Sequence, residues 1–357
     1  MVALSACGGT STPSAADAAK VDIGPGVPAN ITDAMRTLYK NALDSGKTRV
    51  VVYGPVSTEL QPVWNIFQKR FPGLKVVPRD MADAESAAKI DAEKASGQHE
   101  GDLFHGGGSV AISYAQDGRC GPATVAAADL ADKSKYVQVD GKVFVPYVSG
   151  FGTVYNTSMV KPDEAPKDWQ GLLDPKWSGK LSVQNPNQVS IVRVAFSRML
   201  LPEAQAKYGE NYLRQLAAQK PNKTSTGPQV AADVASGRFP VGAVVSVFFY
   251  NAQKAKGAPI GMVFPLASGN ILTDTSSCMV AGAPDPDAAQ LLMDWMFTPE
   301  GQAAVADKMN VYGTANGAPA PKGSPPLSQV DQMPDIVGGN SAAYNQYATR
   351  VDAIFGN

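Results

Sequence analysis

The 357-residue chain is 44% hydrophobic and 18% charged, with a formal net charge of -1. That is enough apolar side chain for two cores, and it gives no bulk attraction for nucleic acid or an anionic membrane surface. Two histidines and three cysteines leave few soft ligands for zinc or copper, so no metal site is assigned, and metal chemistry would fall to oxygen donors.

The first residues, MVALSACGGTSTPSAADAA, are small and apolar up to Cys7, then polar and low in complexity. Leu4-Ser5-Ala6-Cys7 is similar to the lipobox of bacterial lipoproteins, in which cleavage before the cysteine exposes it for lipidation. On that reading 1–28 is a signal remnant and flexible tether, and the natural start of the signal lies upstream of Met1. No stretch approaches the roughly 20 apolar residues that span a bilayer. Export would place Cys120 and Cys278 in an oxidising compartment, where they could pair or remain two separate buried thiols.

After the tether, 31–47 has the spacing of an amphipathic helix stopped at Gly46. Strands then alternate with helices: RVVVYG a strand, LQPVWNIFQKRFPG a helix, LKVVPRD a strand, DAESAAKIDAEKASG a helix, and GDLFHGG a strand and loop. Such alternation predicts a largely parallel, helix-covered sheet. The run 142–160 is extended with glycines in its middle, as a connection between lobes would be. A second set follows: strand and loop in WSGKLSVQNPN, one or two helices over 189–219, a helix in VAADVASG, and a strand in FPVGAVVSVFFYN. The run 261–283 is a second extended crossing, and 285–309 reads as two helices around the turn signal Thr298-Pro299-Glu300. Two crossings between two lobes suggest a hinged clamp.

In order along 48–315, the pieces VVVYGPVSTEL, GDLFHGGG, FGTVYNTSMV, LLDPKWSGKLSV, VASGRFPVGAVVS and APDPDAAQLLMDWMFTPEGQ resemble extracytoplasmic solute-binding proteins of bacterial ABC importers. The resemblance is to the ferric-ion, phosphonate and polyamine group. It implies an α/β, type II periplasmic-binding-protein fold whose first lobe is discontinuous (29–148 and 270–357) and whose second is 149–269, with a hinge of two extended crossings. It also implies extracytoplasmic localisation, a monomer, and partners in an ABC permease and its ATPase. Membrane attachment would be through the N-terminal lipid anchor only, with no nucleic-acid partner and no cofactor.

Ferric-ion-binding relatives carry an adjacent tyrosine pair after a strand like VGAVVSV; the matching positions here are Val247 and Phe248, with Tyr250 slightly beyond. Neither Val247 nor Phe248 can hold iron, and the family's histidine ligand falls near Ser57. What stands in their place is a set of small donors where loops enter helices: Ser57 and Thr58, Gly107 and Ser109, Asn187, Gln188 and Ser190, and Ser225 and Thr226. Helix N-termini offer unpaired N–H groups and a partial positive charge, so such donors can serve as caps or as an oxyanion cradle. Ser57 and Thr58 are expected to do both. Phe248 and Phe249 follow the strand, so alternation aims one of them at the ligand, and Phe248 is taken as that contact. His105 suits a structural hydrogen bond or a ligand contact, Arg193 an oxyanion partner or a solvated helix position, and Asp274 a turn cap or an amine partner.

The expected function is capture of a small anionic organic solute, with phosphonates or phosphate esters ahead of carboxylates, in a cleft between the lobes. A polyamine receptor, supported by Asp80, Asp83, Glu85 and Asp274, and a ferric-ion receptor are the alternatives. An enzyme is not expected. No G-x-S-x-G, H-E-x-x-H or P-loop occurs, nor a G-x-G-x-x-G at a strand-to-helix turn, and a triad would have to use His99 or His105.

Overall fold

Gly46 closes the first long helix at φ 69°, a left-handed position that glycine adopts without a Cβ penalty, and its N–H reaches the Leu43 carbonyl. The computed structural model describes residues 15–18, 20–55, 57–188, 190–334 and 341–356; Cys7 and the start of the expected tether lie outside them, while Ala18 and Ile23 of that tether are buried against the first unit rather than free. The chain divides into two units: Met1–Pro146, Thr275–Ala304 and Gly313–Ala318 in the first, and Tyr147–Asp274, Val305–Tyr312 and Pro319–Asn357 in the second.

The first unit opens with α1 (Ala15–Ala18) and α2 (Ala29–Ser45). It then alternates β1 (Arg49–Gly54), α3 (Gln61–Arg70), β2 (Lys75–Asp80), α4 (Asp83–Ser96), β3 (Leu103–Gly107) and α5 (Gly108–Gln116), followed by α6 (Lys133–Tyr136) and β4 (Val137–Gln138). Strands β1, β2 and β3 are parallel in the order β2-β1-β3, as the βα alternation predicts, with Val51 opposite Val77 and Tyr53 opposite Phe104. The long β5 (Val143–Asn156), buried at every residue, carries the chain into the second unit.

The second unit contains β6 (Leu181–Gln184), α7 (Ile191–Met199), α8 (Pro202–Gln205), α9 (Gly209–Ala218), β7 (Asn222–Thr224), α10 (Gly227–Ala235), β8 (Val241–Ser246), α11 (Val247–Ala255) and β9 (Ile260–Val263). Strands β7, β6 and β8 are parallel neighbours, and β5 runs antiparallel to β8. The return is β10 (Ile271–Met279), whose Ser277 pairs antiparallel with His105 of β3. It is followed by α12 (Pro286–Phe297), α13 (Pro299–Met309), β11 (Tyr312–Gly313) and α14 (Ser341–Phe355).

Two expectations are corrected, and one strand had no expectation at all. The segment 239–251 is not one strand: it breaks at Ser246, whose Oγ accepts the Phe248 N–H at 3.3 Å and starts α11. The short strand β7, Asn-Lys-Thr, carried no apolar alternation to reveal it. The tail 319–357 belongs with the second unit, not the first lobe, because α14 packs on α7: Phe355 stacks on Phe196 at 5.2 Å and Val351 is fully buried. Each unit has its own apolar core. One gathers Tyr53, Ile90, Phe104 and Tyr114; the other gathers Trp169, Phe196, Tyr212 and Leu213.

Candidate functional site

In open parallel sheets ligands bind beyond the carboxyl ends of the strands, where the chain turns into helices. Each unit therefore offers one such rim.

In the first unit the rim is formed by Gly54, Asp80 and Gly107, the last residues of β1, β2 and β3. Gly54, at φ 138°, lies so close to β3 that a Cβ would come 2.0 Å from the His105 carbonyl oxygen, so glycine is required for the turn. Ser57 and Thr58 do not cap α3. Its N-cap is Leu60 and carries no side-chain hydrogen bond. The two hydroxyls instead grip Asp80: Ser57 Oγ donates to Oδ1 at 2.8 Å, the Thr58 N–H donates to the same oxygen at 2.8 Å, and Thr58 Oγ1 donates to Oδ2. The place read as an oxyanion cradle is thus filled by the protein's own carboxylate. Around it Pro55, Glu59, Met81, Ala82 and Glu85 line a cup of about 280 Å³. Burial raises the Asp83 carboxyl beside it.

Gly107 is the N-cap of α5, and both it and Ser109 are exposed. His105 is buried and structural. Its Nδ1 lies 2.7 Å from Ser277 Oγ, its ring stands edge-on to Trp64, and burial pulls it down to about 4, so it is neutral near pH 7.

In the second unit the rim is formed by Gln184, Thr224 and Ser246, at the ends of β6, β7 and β8. Three helices begin from this rim, each with a hydroxyl cap: Ser190 accepts from the Arg193 N–H at 3.2 Å, Thr226 from the Gln229 N–H at 3.4 Å, and Ser246 from the Phe248 N–H. Each cap satisfies one donor and leaves the rest of the first turn open, except that Pro228 has no N–H to offer. Ser225 and Thr226 are exposed. The Phe249 ring lies over Gly227, where a Cβ would meet it at 2.7 Å, and Gln184 Nε2 reaches the Ser225 carbonyl at 3.5 Å.

Phe248, expected as the aromatic contact, is 5% exposed and packed inward on α11; the half-buried Phe249 takes the rim position. Helical rather than strand spacing is the reason. Asn187 is tied to α14, its Nδ2 donating to the Asp352 carbonyl at 3.2 Å, and the Arg193 guanidinium is ion-paired with the Asp352 carboxylate. Gln188 is exposed. Asp274 lies within β10, not at a turn. Sequence reasoning missed the rim positions of Gln184 and Ser246; the Ser-Val-Phe-Phe run, with a cap residue at its head, was the available signal for Ser246.

Among the described residues no group of three or more histidine, cysteine, aspartate or glutamate side chains could hold a metal ion, and no helix is long and apolar enough to cross a membrane. The sulfurs of Cys120 and Cys278 are bonded, with Cα atoms 5.8 Å apart.

Residues 63–334 match the family pattern described as bacterial extracellular solute-binding protein. A stretch of 140 residues is 28% identical to an uncharacterized protein of Haemophilus influenzae, and the match spans 39% of this chain and 39% of that relative's length. Among solved structures, iron-bound HitA from Pseudomonas aeruginosa superposes with a TM-score of 0.63 at 17% identity, over 86% of this chain and 99% of that one. The periplasmic binding protein AfuA from Actinobacillus pleuropneumoniae, with exogenous fructose-6-phosphate bound, does so with a TM-score of 0.61 at 20% identity, over 86% and 96%. The substrate binding protein of an ABC transporter from Agrobacterium tumefaciens gives 0.65 at 14%, over 87% and 96%. At these identities the likeness shows the fold, which is the type II periplasmic-binding-protein fold.

Proposed function

The chain belongs to the bacterial extracellular solute-binding proteins, and we propose that it is the substrate-binding component of an ABC importer, capturing a small organic solute through an oxyanion group. On this reading it binds and does not catalyse, works outside the cytoplasm on the Cys7 lipid anchor, and hands its ligand to a permease driven by an ATPase. The observation that supports an anionic ligand is the second unit's rim, where the starts of α7, α10 and α11 lie at the ends of three adjacent parallel strands. Their N–H groups and partial positive charge favour a phosphate, phosphonate or carboxylate. Because Asp352 neutralises Arg193 in the first turn of α7, the anion subsite is assigned to Ser225, Thr226 and Gly227, with Phe249 against the organic part. The fructose-6-phosphate in AfuA is a ligand of that chemistry.

The first unit's rim supports a second reading. Asp80 already occupies Ser57 and Thr58, and Glu59 and Glu85 stand beside it, so that rim offers acceptors to hydroxyl or ammonium groups. A polyamine would need such groups. A ferric-ion reading has equal support from the solved structures, iron-bound HitA among them, while Val247 and Phe248 at the tyrosine positions favour an organic ligand.

A thermal-shift screen with sugar phosphates, phosphonates, carboxylates, spermidine and ferric citrate tests these readings. A ligand at 100 times its dissociation constant adds about 2.7 kcal/mol of stability. The expected result is a shift with a phosphorylated or phosphonate compound and none with its neutral parent. Ser225→Ala, at an exposed position with no cap to lose, should then weaken binding about tenfold, as loss of one hydrogen bond to a charged group does. A shift confined to spermidine or ferric citrate would overturn the anion assignment.

A further inference from the structure

At the opposite end of the second unit's sheet, β6 begins at Leu181 and β8 at Val241, and the residues leading into them line a cavity of about 560 Å³. That volume lies within the range of small-molecule sites. Six residues of β8 at roughly 3.3 Å each place it on the order of 20 Å from the carboxyl-end rim, so it is a separate place on the same unit.

Its walls are apolar and aromatic. Trp177 and Val160 form the buried floor, Phe239 is half-buried, and Met159, 53% exposed, is the one large hydrophobic side chain left in solvent among the described residues. Over these walls stand three cations. The Lys176 ammonium lies 4.7 Å from the centre of the Trp177 ring, and the Arg238 guanidinium 5.8 Å from that of Phe239. Their carboxylate partners, the exposed Asp174 at 3.6 Å and the buried Asp233 at 3.5 Å, both stand near the long limit for ion pairs, and the exposed pair is of the weak kind. Lys180 is exposed and makes no ion pair among the described residues. Glu164 is the single carboxylate of the lining.

Aromatic faces and an exposed thioether beneath loosely held cations suit one chemistry. We propose that this cavity is a second binding site, for an amphiphilic anion: an aromatic or apolar body bearing one phosphate or carboxylate. The ring would lie on Trp177 and Phe239 beside Met159, and the anion would be met by Lys180 and Arg238. The site is independent of the ligand at the carboxyl-end rim.

The probe is 1-naphthyl phosphate, titrated into the full chain by calorimetry, with 1-naphthol and inorganic phosphate as its two halves. The expected result is binding at least about tenfold tighter for the whole probe than for either half. Reversing two charges, with Lys180→Glu and Arg238→Glu together, should weaken it by about tenfold or more; Lys180→Glu alone, which breaks no ion pair among the described residues, and Met159→Ala should each weaken it about threefold with the melting temperature retained. Ser225→Ala should leave it within about twofold, since that residue lies at the other end of the strands. Equal affinity for 1-naphthol, indifference to the double reversal, or loss of binding in Ser225→Ala would each overturn the proposal, the last by moving the probe to the carboxyl-end rim.

Discussion

Replacing Cys120 and Cys278 together by alanine is expected to lower the melting temperature of the first unit by about 10 °C or more. The bond closes a loop of 158 residues between the chain after α5 and strand β10. In the chain-entropy account such a closure removes about 5 kcal/mol of freedom from the unfolded chain. For a unit of this size each kcal/mol corresponds to roughly 2 to 4 °C. Both cysteines are buried, beside Ala111, Tyr114 and Val280, so the substitution also removes packed sulfur. Calorimetry of wild type, of the reduced protein and of the double variant measures the effect, and reduced wild type should approach the variant. Melting temperatures agreeing within about 2 °C across all three would show that the bond restrains nothing.

Stability should also follow an unusual pH profile, rising on mild acidification. Asp294 has no exposed surface; it accepts the Ala127 N–H at 2.7 Å, and burial pushes its carboxyl up to about 7. Asp102, equally buried, accepts the N–H groups of Val51 and Asp285 at 2.8 Å each, and burial pushes it up to about 6. A raised carboxyl keeps its proton in the native state at a pH where the unfolded chain has released it. Each contribution is therefore complete below the ordinary value of 3.8 and is lost as the pH rises through about 6 for Asp102 and about 7 for Asp294. The gaps correspond to about 3 and about 4 kcal/mol.

His105 works in the opposite direction. Lowered by burial from 6.5 to about 4, it contributes stability that is complete above 6.5 and is lost as the pH falls to about 4, about 3 kcal/mol in all. Between pH 7 and 5 the two carboxyls outweigh the imidazole, and these groups should add about 2 kcal/mol on acidification. Asp294→Asn retains an acceptor for the Ala127 N–H and cannot ionise. Its stability relative to wild type should improve by about 3 kcal/mol from pH 5 to 8.5, while His105→Gln should gain on wild type from pH 6.5 down to 4. Denaturant melts across that range measure both differences. If each stays flat with pH, burial is not controlling these groups.

Several elements were legible without coordinates because their signals are local. The Gly46 stop of α2, the alternation from β1 to α5, the long buried β5 and the helix pair α12 and α13 all follow from periodicity and turn residues. The misreadings arose where local signals compete. Val-Ser-Val-Phe-Phe is strand-like in composition, yet Ser246 caps a helix there, so Phe249 and not Phe248 reaches the rim. Ser57 and Thr58 looked like caps because a helix follows, but the chain makes a turn before Leu60 and spends both hydroxyls on Asp80.

By itself the sequence carried the resemblance to the family and determined the α/β class, the latter because element alternation rests on spacing within a few dozen residues. Only the tertiary structure decided which partner each side chain takes. Asp80 holds Ser57 from 23 residues away, Asp352 holds Arg193 from 159, and Cys278 meets Cys120 across 158. Such contacts depend on strand order and helix packing, which bring distant segments together after the local pattern has formed. For that reason the charge of each rim, acidic in the first unit and rich in helix N-termini in the second, had to be read from the folded chain.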